Sequence, residues 1–408
     1  MKSVVLMALC FSGAAFADAL TLKQVLDAAA ARAPRVQAAA RALAEAEASR
    51  VGQGVWVPVN PRLSADYRPL AIELPGQPSD PRHGYFLGLD GQVEVSGAAG
   101  ARLREADLRV AVARDELRRE QGLAMAEAWQ ACIALTVAQE RVASLQTALA
   151  LENRVLQASK ERLSTGVASE ADVTTVAVEV AAIEVALEEA RRTVADAQVS
   201  LALAADLPTA QVQLADLGLQ LPEAPALDGL VTQALERRPE LAALRARIAL
   251  LEASDDRLVR EAVPRLGLNF GLDAAPASPV FAAMGVQVEL PVAQRNQGPR
   301  AVAAAQRDSE KTRLQNELRR VTFEVERSVA NYRSRRAQAL TLQRDALPNA
   351  QRTVALIETG WTAGRFDVFR LTAATRDLIR AQRDHLEAVG IGWADFIELQ
   401  RVTGALAP

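Results

Sequence analysis

Residues 266–273 have the sequence Leu-Gly-Leu-Asn-Phe-Gly-Leu-Asp, in which apolar side chains alternate with small or polar ones. Residues 280–290 (Val-Phe-Ala-Ala-Met-Gly-Val-Gln-Val-Glu-Leu) alternate in the same way over most of their length. Because successive side chains of a β-strand point to opposite faces, the pattern predicts strands with one apolar and one polar face. Matching strands are predicted over 62–74, where Pro69 breaks the pattern, and over 85–96. The chain therefore has four predicted strands, at 62–74, 85–96, 265–273 and 280–290.

This alternation over about ten residues is typical of a transmembrane β-barrel, with lipid outside and water inside. A half-buried soluble sheet alternates as well, so the strands alone leave both interpretations open. Four strands cannot close a barrel, and an open strand edge is not tolerated in lipid. A membrane barrel would therefore need several chains, with eight strands from two copies or twelve from three. The strands do not decide between two and three.

The beginning of the chain indicates export. Residues 1–17 have the pattern of a signal peptide, with a positive charge at Lys2, an apolar stretch and an Ala15-Phe16-Ala17 cleavage site. Leu9 precedes Cys10 where a lipoprotein signal has a small residue, so lipidation of Cys10 is not expected. The rest of the sequence has no run of 18 or more apolar residues, so no transmembrane helix is predicted. Export without a helical anchor favours the barrel over the soluble sheet.

The chain also contains an internal duplication. Gly100, Gly166 and Leu201 recur 198 residues later as Gly298, Gly364 and Leu399. The repeats are predicted to span residues 18–205 and 227–404, with a proline-containing linker at 206–226 and a tail at 405–408. Each repeat is predicted to contain a helix, two strands, a long helix and a further helix.

Heptad spacing in the long helices predicts coiled-coil packing. The apolar positions are Leu135, Val142, Leu149, Leu156 and Leu163 in the first repeat, and Leu340, Leu347, Val354 and Trp361 in the second. Helices over 101–164 and 299–362 would each be about 90–100 Å long at 1.5 Å per residue, which suits a tube or stalk. Pro348 is expected to bend the second of them.

Composition argues against several other classes of protein. The chain has 47 Lys and Arg against 50 Asp and Glu, so a nucleic-acid partner is not expected. It has no His/Cys cluster with metal-ligand spacing, no phosphate-binding loop and no nucleophile elbow, so no enzyme activity, metal or cofactor is predicted. His83 could contact a metal with Asp80, but a plain surface loop over 75–84 is the stronger prediction. His385 falls on a heptad position and is predicted to be a packed histidine.

Several short motifs resemble the TolC family of outer-membrane efflux channels. They are the turn Gly166–Val173 (GVASEADV), the matching turn Ala363–Asp367 (AGRFD) and the duplicated helix–strand–strand–helix plan. Val57–Leu63 (VPVNPRL), together with Thr375-Arg376 after the second turn, is most similar to the heavy-metal (CzcC/CusC-like) branch. The resemblance covers essentially all of the chain after residue 17.

The resemblance implies a mixed α and β membrane protein in the bacterial outer membrane. Three chains would share one 12-stranded transmembrane β-barrel, with four strands per chain, above a long coiled-coil α-helical periplasmic barrel. The homotrimer would contact outer-membrane lipid, a periplasmic adaptor and an inner-membrane pump of the resistance-nodulation-division (RND) type. It would be a passive exit duct in a tripartite efflux system, for heavy-metal cations in the branch that it most resembles.

Two alternatives remain open at this stage. The same channel could export drugs, other small molecules or a type I secretion substrate, because substrate choice lies mostly with the pump. A protein of another class, a periplasmic coiled-coil adaptor or scaffold without a pore, would also contain helical hairpins. It would have no need for four strands with alternating faces.

The resemblance also implies particular site residues. The periplasmic tip turns contain Gly166, Gly364, Arg365 and Phe366, and the candidate pore constriction contains Glu170, Asp172, Asp367 and Arg370. Arg370 and Ala373 stand where the metal branch often has aspartate, so an Arg370–Asp172 ion pair would make a latch instead of an all-acidic ring. Trp56, Tyr67, Tyr85 and Phe86 are candidate interfacial aromatics. A solvated helix face for each charge, and ordinary packing for each aromatic, are the alternatives.

Overall fold

The computed structural model describes residues 19–70, 82–274 and 279–406. The order helix, helix, strand, strand, long helix, helix occurs twice in it. The first series consists of α1 (Leu22–Arg32), α2 (Pro34–Arg50), β1 (Arg62–Leu70), β2 (Arg82–Val93), α3 (Ala98–Ser164) and α4 (Glu170–Ala205). The second consists of α5 (Leu230–Arg237), α6 (Pro239–Glu261), β3 (Leu266–Ala274), β4 (Phe281–Val288), α7 (Gln297–Thr341), a π-helix (Leu342–Ala346), α8 (Leu347–Thr362) and α9 (Val368–Val402).

Each repeat begins with two helices where the sequence pattern predicted one. Proline is the first residue of both α2 and α6, and the residue before it is forced out of the helical conformation. Ala33 has ψ 139° and Arg238 has ψ 122°. Proline is tolerated at the first helical position because the N–H that it lacks would have no partner there. The Ala33-Pro34 and Arg238-Pro239 pairs therefore end one helix and start the next.

The strands form one antiparallel sheet in the order β1-β2-β3-β4. The predicted strand at 85–96 was wrong at both ends, since β2 starts at Arg82 and stops at Val93. His83 and Gly84 therefore lie in a strand and not in the predicted loop, of which residues 75–81 lie outside the described residues. Pro69 interrupts the alternation but not the strand, because β1 continues through it to Leu70. β1 is an edge strand, where a residue without an N–H is tolerated.

The chain divides into two compact units. One consists of Ala38–Arg119 and Pro239–Arg320 and contains the sheet. The other consists of Met1–Gln37, Glu120–Arg238 and Val321–Pro408. Among the described residues of this unit, apolar clusters lie at different levels of the helices and are formed mainly by α3, α4 and α9.

The segment predicted to be a linker packs on the first of these clusters. Leu217, Leu219 and Leu221 contact the apolar side chains around Trp393. The hydroxyl of Tyr332 donates to the carbonyl oxygen of Pro222 at 2.5 Å. The segment is thus anchored along the helices by leucine side chains and by hydrogen bonds from Tyr332 and Arg333.

A π-helix over Leu342–Ala346 precedes Pro348, where the sequence predicted a bend. The N–H of Leu347 donates to the carbonyl oxygen of Leu342, five residues earlier. Pro348 has no backbone N–H to donate. The π-turn before it accommodates this proline without ending the helix, and α8 continues to Thr362. In the first repeat, where Ala150 occupies the matching position, α3 is continuous over 67 residues. No helix in the described part of the chain is long and apolar enough to span a membrane.

Candidate functional site: one sheet face and two helix turns

The register of the sheet aligns the apolar positions of all four strands on one face. Leu87 is opposite Ala65 on β1 and Leu272 on β3, and Phe270 is opposite Met284 on β4. We call this surface the apolar sheet face. It contains Leu63, Ala65, Tyr67, Tyr85, Leu87, Leu89, Val93, Leu266, Leu268, Phe270, Leu272, Ala282, Met284, Val286 and Val288.

Most of the large side chains on the apolar sheet face are exposed in the single chain. Leu63 is 70% exposed, Val286 67% and Met284 86%. Isolated apolar residues are normal on protein surfaces, but a contiguous apolar patch over four strands marks a surface that contacts lipid or another protein. The alternation visible in the sequence is therefore realised as a continuous surface.

The opposite face of the sheet is polar. It contains Ser64, Asp66, Asp90, Gln92, Asn269, Asp273 and Gln287. Phe86 also lies on this face, because it follows Tyr85 and successive side chains alternate. Its ring covers two glycines, since a Cβ would lie 2.7 Å from the ring at Gly88 and 2.8 Å at Gly271. Phe86 therefore lies on the face of the sheet opposite Tyr67 and Tyr85.

Tyr67 and Tyr85 are cross-strand partners on the apolar sheet face, with ring centroids 5.3 Å apart. Trp56 is also exposed, and its carbonyl oxygen accepts from the N–H of Glu94, just beyond the end of β2. Aromatic side chains therefore lie near both ends of the first hairpin, as two interfacial girdles would require. Their contact with a membrane interface remains a prediction.

The two predicted tip turns share one backbone structure. Gly166 has φ 75° and Gly364 has φ 71°, in the left-handed region that only glycine adopts without strain. The N–H of Val167 donates to the carbonyl oxygen of Arg162 at 2.8 Å, and the N–H of Arg365 donates to that of Gly360 at the same distance. Both turns satisfy helix-end carbonyls in this way.

The acidic residues after the turns cap helices. Ser169 is the N-cap of α4, and the Asp172 carboxylate accepts from both the backbone N–H and the hydroxyl of Ser169 at 2.8 Å. Asp367 is the N-cap of α9, and it accepts from the N–H of Arg370 at 2.8 Å. Asp367 thus matches Ser169, 198 residues earlier, and Arg370 matches Asp172. Glu170 is exposed in the first turn of α4.

The structure places the two partners of the predicted latch in separate contacts. Asp172 is held by Ser169, and the Arg370 guanidinium lies 5.5 Å from the ring centroid of Phe366. The Phe366 ring in turn packs against Gly360, where a Cβ would be 2.3 Å from it. Within the described part of one chain, Arg370 therefore stabilises its own turn. The Arg370–Asp172 latch itself remains a prediction.

A contact between the two turns was not predicted from the sequence. Arg162 of α3 donates to the carbonyl oxygens of Trp361 (2.9 Å) and Thr362 (3.1 Å) at the end of α8. Its guanidinium also lies 4.3 Å from the centroid of the Trp361 ring. A cation at a helix C-terminus is favourable, because the last carbonyls carry partial negative charge. Arg162 thus joins the ends of the two long helices.

The histidines form no metal site in the described part of the chain. No group of three or more His, Cys, Asp or Glu residues there could hold a metal ion. Asp80 and the side chain of His83 lie outside the described residues. His385 is a packed histidine on α9, and burial lowers its pKa.

Comparisons with known proteins agree with this arrangement. Residues 230–405 match the family described as outer membrane efflux protein. The second repeat is therefore similar to this family. The cobalt-zinc-cadmium resistance protein CzcC of Cupriavidus metallidurans is 27% identical over 314 residues, which cover 76% of this chain and 75% of CzcC. The resemblance to the TolC family, and to its heavy-metal branch, is confirmed.

The fold is also that of solved outer-membrane channels. The crystal structure of CusC superposes with a TM-score of 0.78 at 16% identity, covering 94% of this chain and 92% of that one. The outer-membrane channel OprN gives a TM-score of 0.78 at 20% identity, covering 95% and 91%. The predicted mixed α and β fold is therefore confirmed over nearly the whole chain.

Proposed function

We propose that this protein is the outer-membrane channel of a tripartite efflux system that exports heavy-metal cations. Three chains would form a 12-stranded barrel, and their helices would form a periplasmic duct that docks a periplasmic adaptor and an RND-type inner-membrane pump. The domain match and the homology to CzcC support the channel assignment. The protein would be a passive conduit, because transport energy comes from the pump.

The strongest structural support for a shared barrel comes from the sheet. Its apolar face is exposed, and β1 and β4 each pair on one side only within the described residues. A sheet with two open edges and an apolar surface is unstable in water and in lipid alike. Pairing β4 of one chain with β1 of the next would satisfy both edges. The apolar sheet face would then form the lipid-facing wall, with the polar face lining the lumen.

A pair of adjacent substitutions tests the lipid-facing wall. Val286→Arg puts a charge on the apolar sheet face, where a mid-membrane arginine costs about 2–4 kcal/mol. We expect it to reduce the amount of protein in the outer-membrane fraction severalfold. Gln287→Arg puts the same charge on the polar face and should leave that amount unchanged. Equal effects at the two positions would contradict the proposed orientation of the sheet.

The cargo is tested separately in cells. CzcC is named for resistance to cobalt, zinc and cadmium, and this chain would carry the same class of ion. A strain that lacks the protein should become sensitive to Co²⁺, Zn²⁺ and Cd²⁺ but not to dyes or antibiotics. Sensitivity to organic compounds alone would assign the channel to drug or small-molecule efflux. A defect confined to a secreted protein would assign it to type I secretion.

A further inference from the structure

A polar layer interrupts the apolar packing of α3, α4 and α9. Glu152 of α3 is completely buried, and Glu179 of α4 is 5% exposed. One apolar cluster around Val155, Val176 and Leu371 lies on the side toward the turns. A second cluster, around Leu145 and Ile183, lies on the other side. Two carboxyl groups therefore lie between two apolar clusters of the helix core.

One arginine pairs with one of the two carboxyl groups. Arg376 of α9 contacts the Glu179 carboxylate at 2.5 Å through two of its guanidinium nitrogens. Neither carboxylate oxygen of Glu152 has a hydrogen-bond partner among the described residues. With both carboxyl groups ionised, the layer would hold one uncompensated negative charge. Buried unpaired charges are strongly unfavourable, so Glu152 is the group expected to bind a proton.

Thr375 of α9 is a buried hydroxyl beside Glu152, and it favours the ionised form of this carboxyl and lowers its pKa. The same hydroxyl donates to the carbonyl oxygen of Leu371 at 3.1 Å, so the two acceptors compete for one hydrogen. Protonation of Glu152 would neutralise the layer.

The other charges around the layer do not compensate Glu152. On α8, the nearest ion pair joins Glu358 to Arg154 of α3 at 4.0 Å on the surface. The α8 side chains in the adjacent layer, Ile357 and Trp361, are apolar. Burial has the largest effect and raises the pKa of Glu152. The Thr375 hydroxyl lowers this pKa, the negative charge of Glu179 raises it, and the positive charge of Arg376 lowers it.

We propose that Glu152 is a proton-binding site whose occupancy holds α9 against the α3–α4 hairpin. A group whose pKa is higher in the packed state stabilises that state at low pH, and this stability is lost as pH rises through the packed-state value. Acid therefore tightens the packing, and alkali loosens it. The inference does not depend on the proposed transport.

Hydrogen exchange of the mature protein in detergent tests the site. The readout is the exchange rate of α9 amides over 371–380 relative to a Glu152→Gln variant at each pH, which cancels the intrinsic pH dependence. We expect the ratio to be flat in acid and then to rise by at most about tenfold per pH unit, the limit for one proton. Glu140→Gln, an exposed substitution on the same helix, should behave like the parent. A ratio that stays constant from pH 5 to pH 8 would overturn the proposal.

A second variant keeps the test valid if Glu152→Gln fails to fold. Glu179→Gln frees Arg376 to pair with an ionised Glu152, so the rise in α9 exchange with pH, measured against Glu140→Gln, should flatten. An unchanged rise in Glu179→Gln would show that another group titrates. The infrared band of a protonated carboxyl, present in the parent in acid and lost as pH rises, should also be absent from Glu152→Gln. Its persistence there would equally overturn the assignment.

Discussion

At the scale of single residues, the contacts at the two turns stabilise helix ends. Arg162 reaches from α3 to the carbonyls at the end of α8, and Asp172 and Asp367 bind the first turns of α4 and α9. Each contact satisfies backbone groups that a helix terminus leaves without partners. The turns are therefore held by their own side chains within one chain.

Replacing Arg162 should destabilise this region measurably. Arg162→Gln removes two charge-assisted hydrogen bonds and the contact with the Trp361 ring, and we expect a loss of about 2–3 kcal/mol. Arg154→Gln, on the same helix, removes only an exposed ion pair at 4.0 Å and should cost under about 0.5 kcal/mol. Denaturant unfolding, followed by Trp fluorescence, compares them. Similar losses for the two variants would refute the role of Arg162.

The single cysteine among the described residues reports on folding. Cys132 is fully buried on α3, and burial raises the pKa of its thiol to about 12. Because the thiolate is the reactive form, Cys132 should resist thiol reagents at pH 8 in the native protein and react at once in denaturant. Rapid labelling of the native protein would mean that α3 opens locally around Cys132.

At the scale of secondary-structure elements, ion pairs join the sheet to helices in its own unit. Glu94 follows β2, and its carboxylate is 2% exposed between Arg102 of α3 (2.7 Å) and Arg265 before β3 (3.5 Å). Arg257 of α6 extends the group through Glu105 and Glu261. The network links both repeats where the strands meet the helices.

Breaking this network should be costly, because Arg102 and Arg265 lose the buried carboxylate that they share. Glu94→Gln should reduce stability by about 1.5–3 kcal/mol, the usual effect of losing a hydrogen bond to a charged group. Glu47→Gln is the matched control, since Glu47 pairs with Arg114 at 3.9 Å and both side chains are half exposed. Thermal unfolding measured by circular dichroism compares them. A change in Glu94→Gln no larger than in the control would show that the network adds little.

The local sequence pattern was sufficient to predict some elements and contacts but not others. Strict alternation located β3 and β4 to within two residues, and the spacing of the glycines located both turns. Alternation also implies that Phe86 faces away from Tyr85, and the Ser169–Asp172 spacing is a capping signal, so both features could have been read from the sequence. The contacts of Glu152 and Arg162 could not, because they depend on the register between helices some 200 residues apart.

At the scale of the whole molecule, the central claim is that several chains complete one barrel. The sheet has two open edges and one apolar face, and the fold matches outer-membrane channels over 94% of the chain. A single chain therefore supplies four of the twelve proposed strands and cannot close the barrel by itself. Stability and function should both depend on assembly.

The most direct test is the mass and the conductance of the protein extracted from outer membranes in detergent. We predict a species of three chains that inserts into planar lipid bilayers and conducts ions. A species that leaves the membrane without detergent, remains a single chain and produces no conductance would contradict the shared barrel. The apolar sheet face would then have to be covered by another protein instead of lipid.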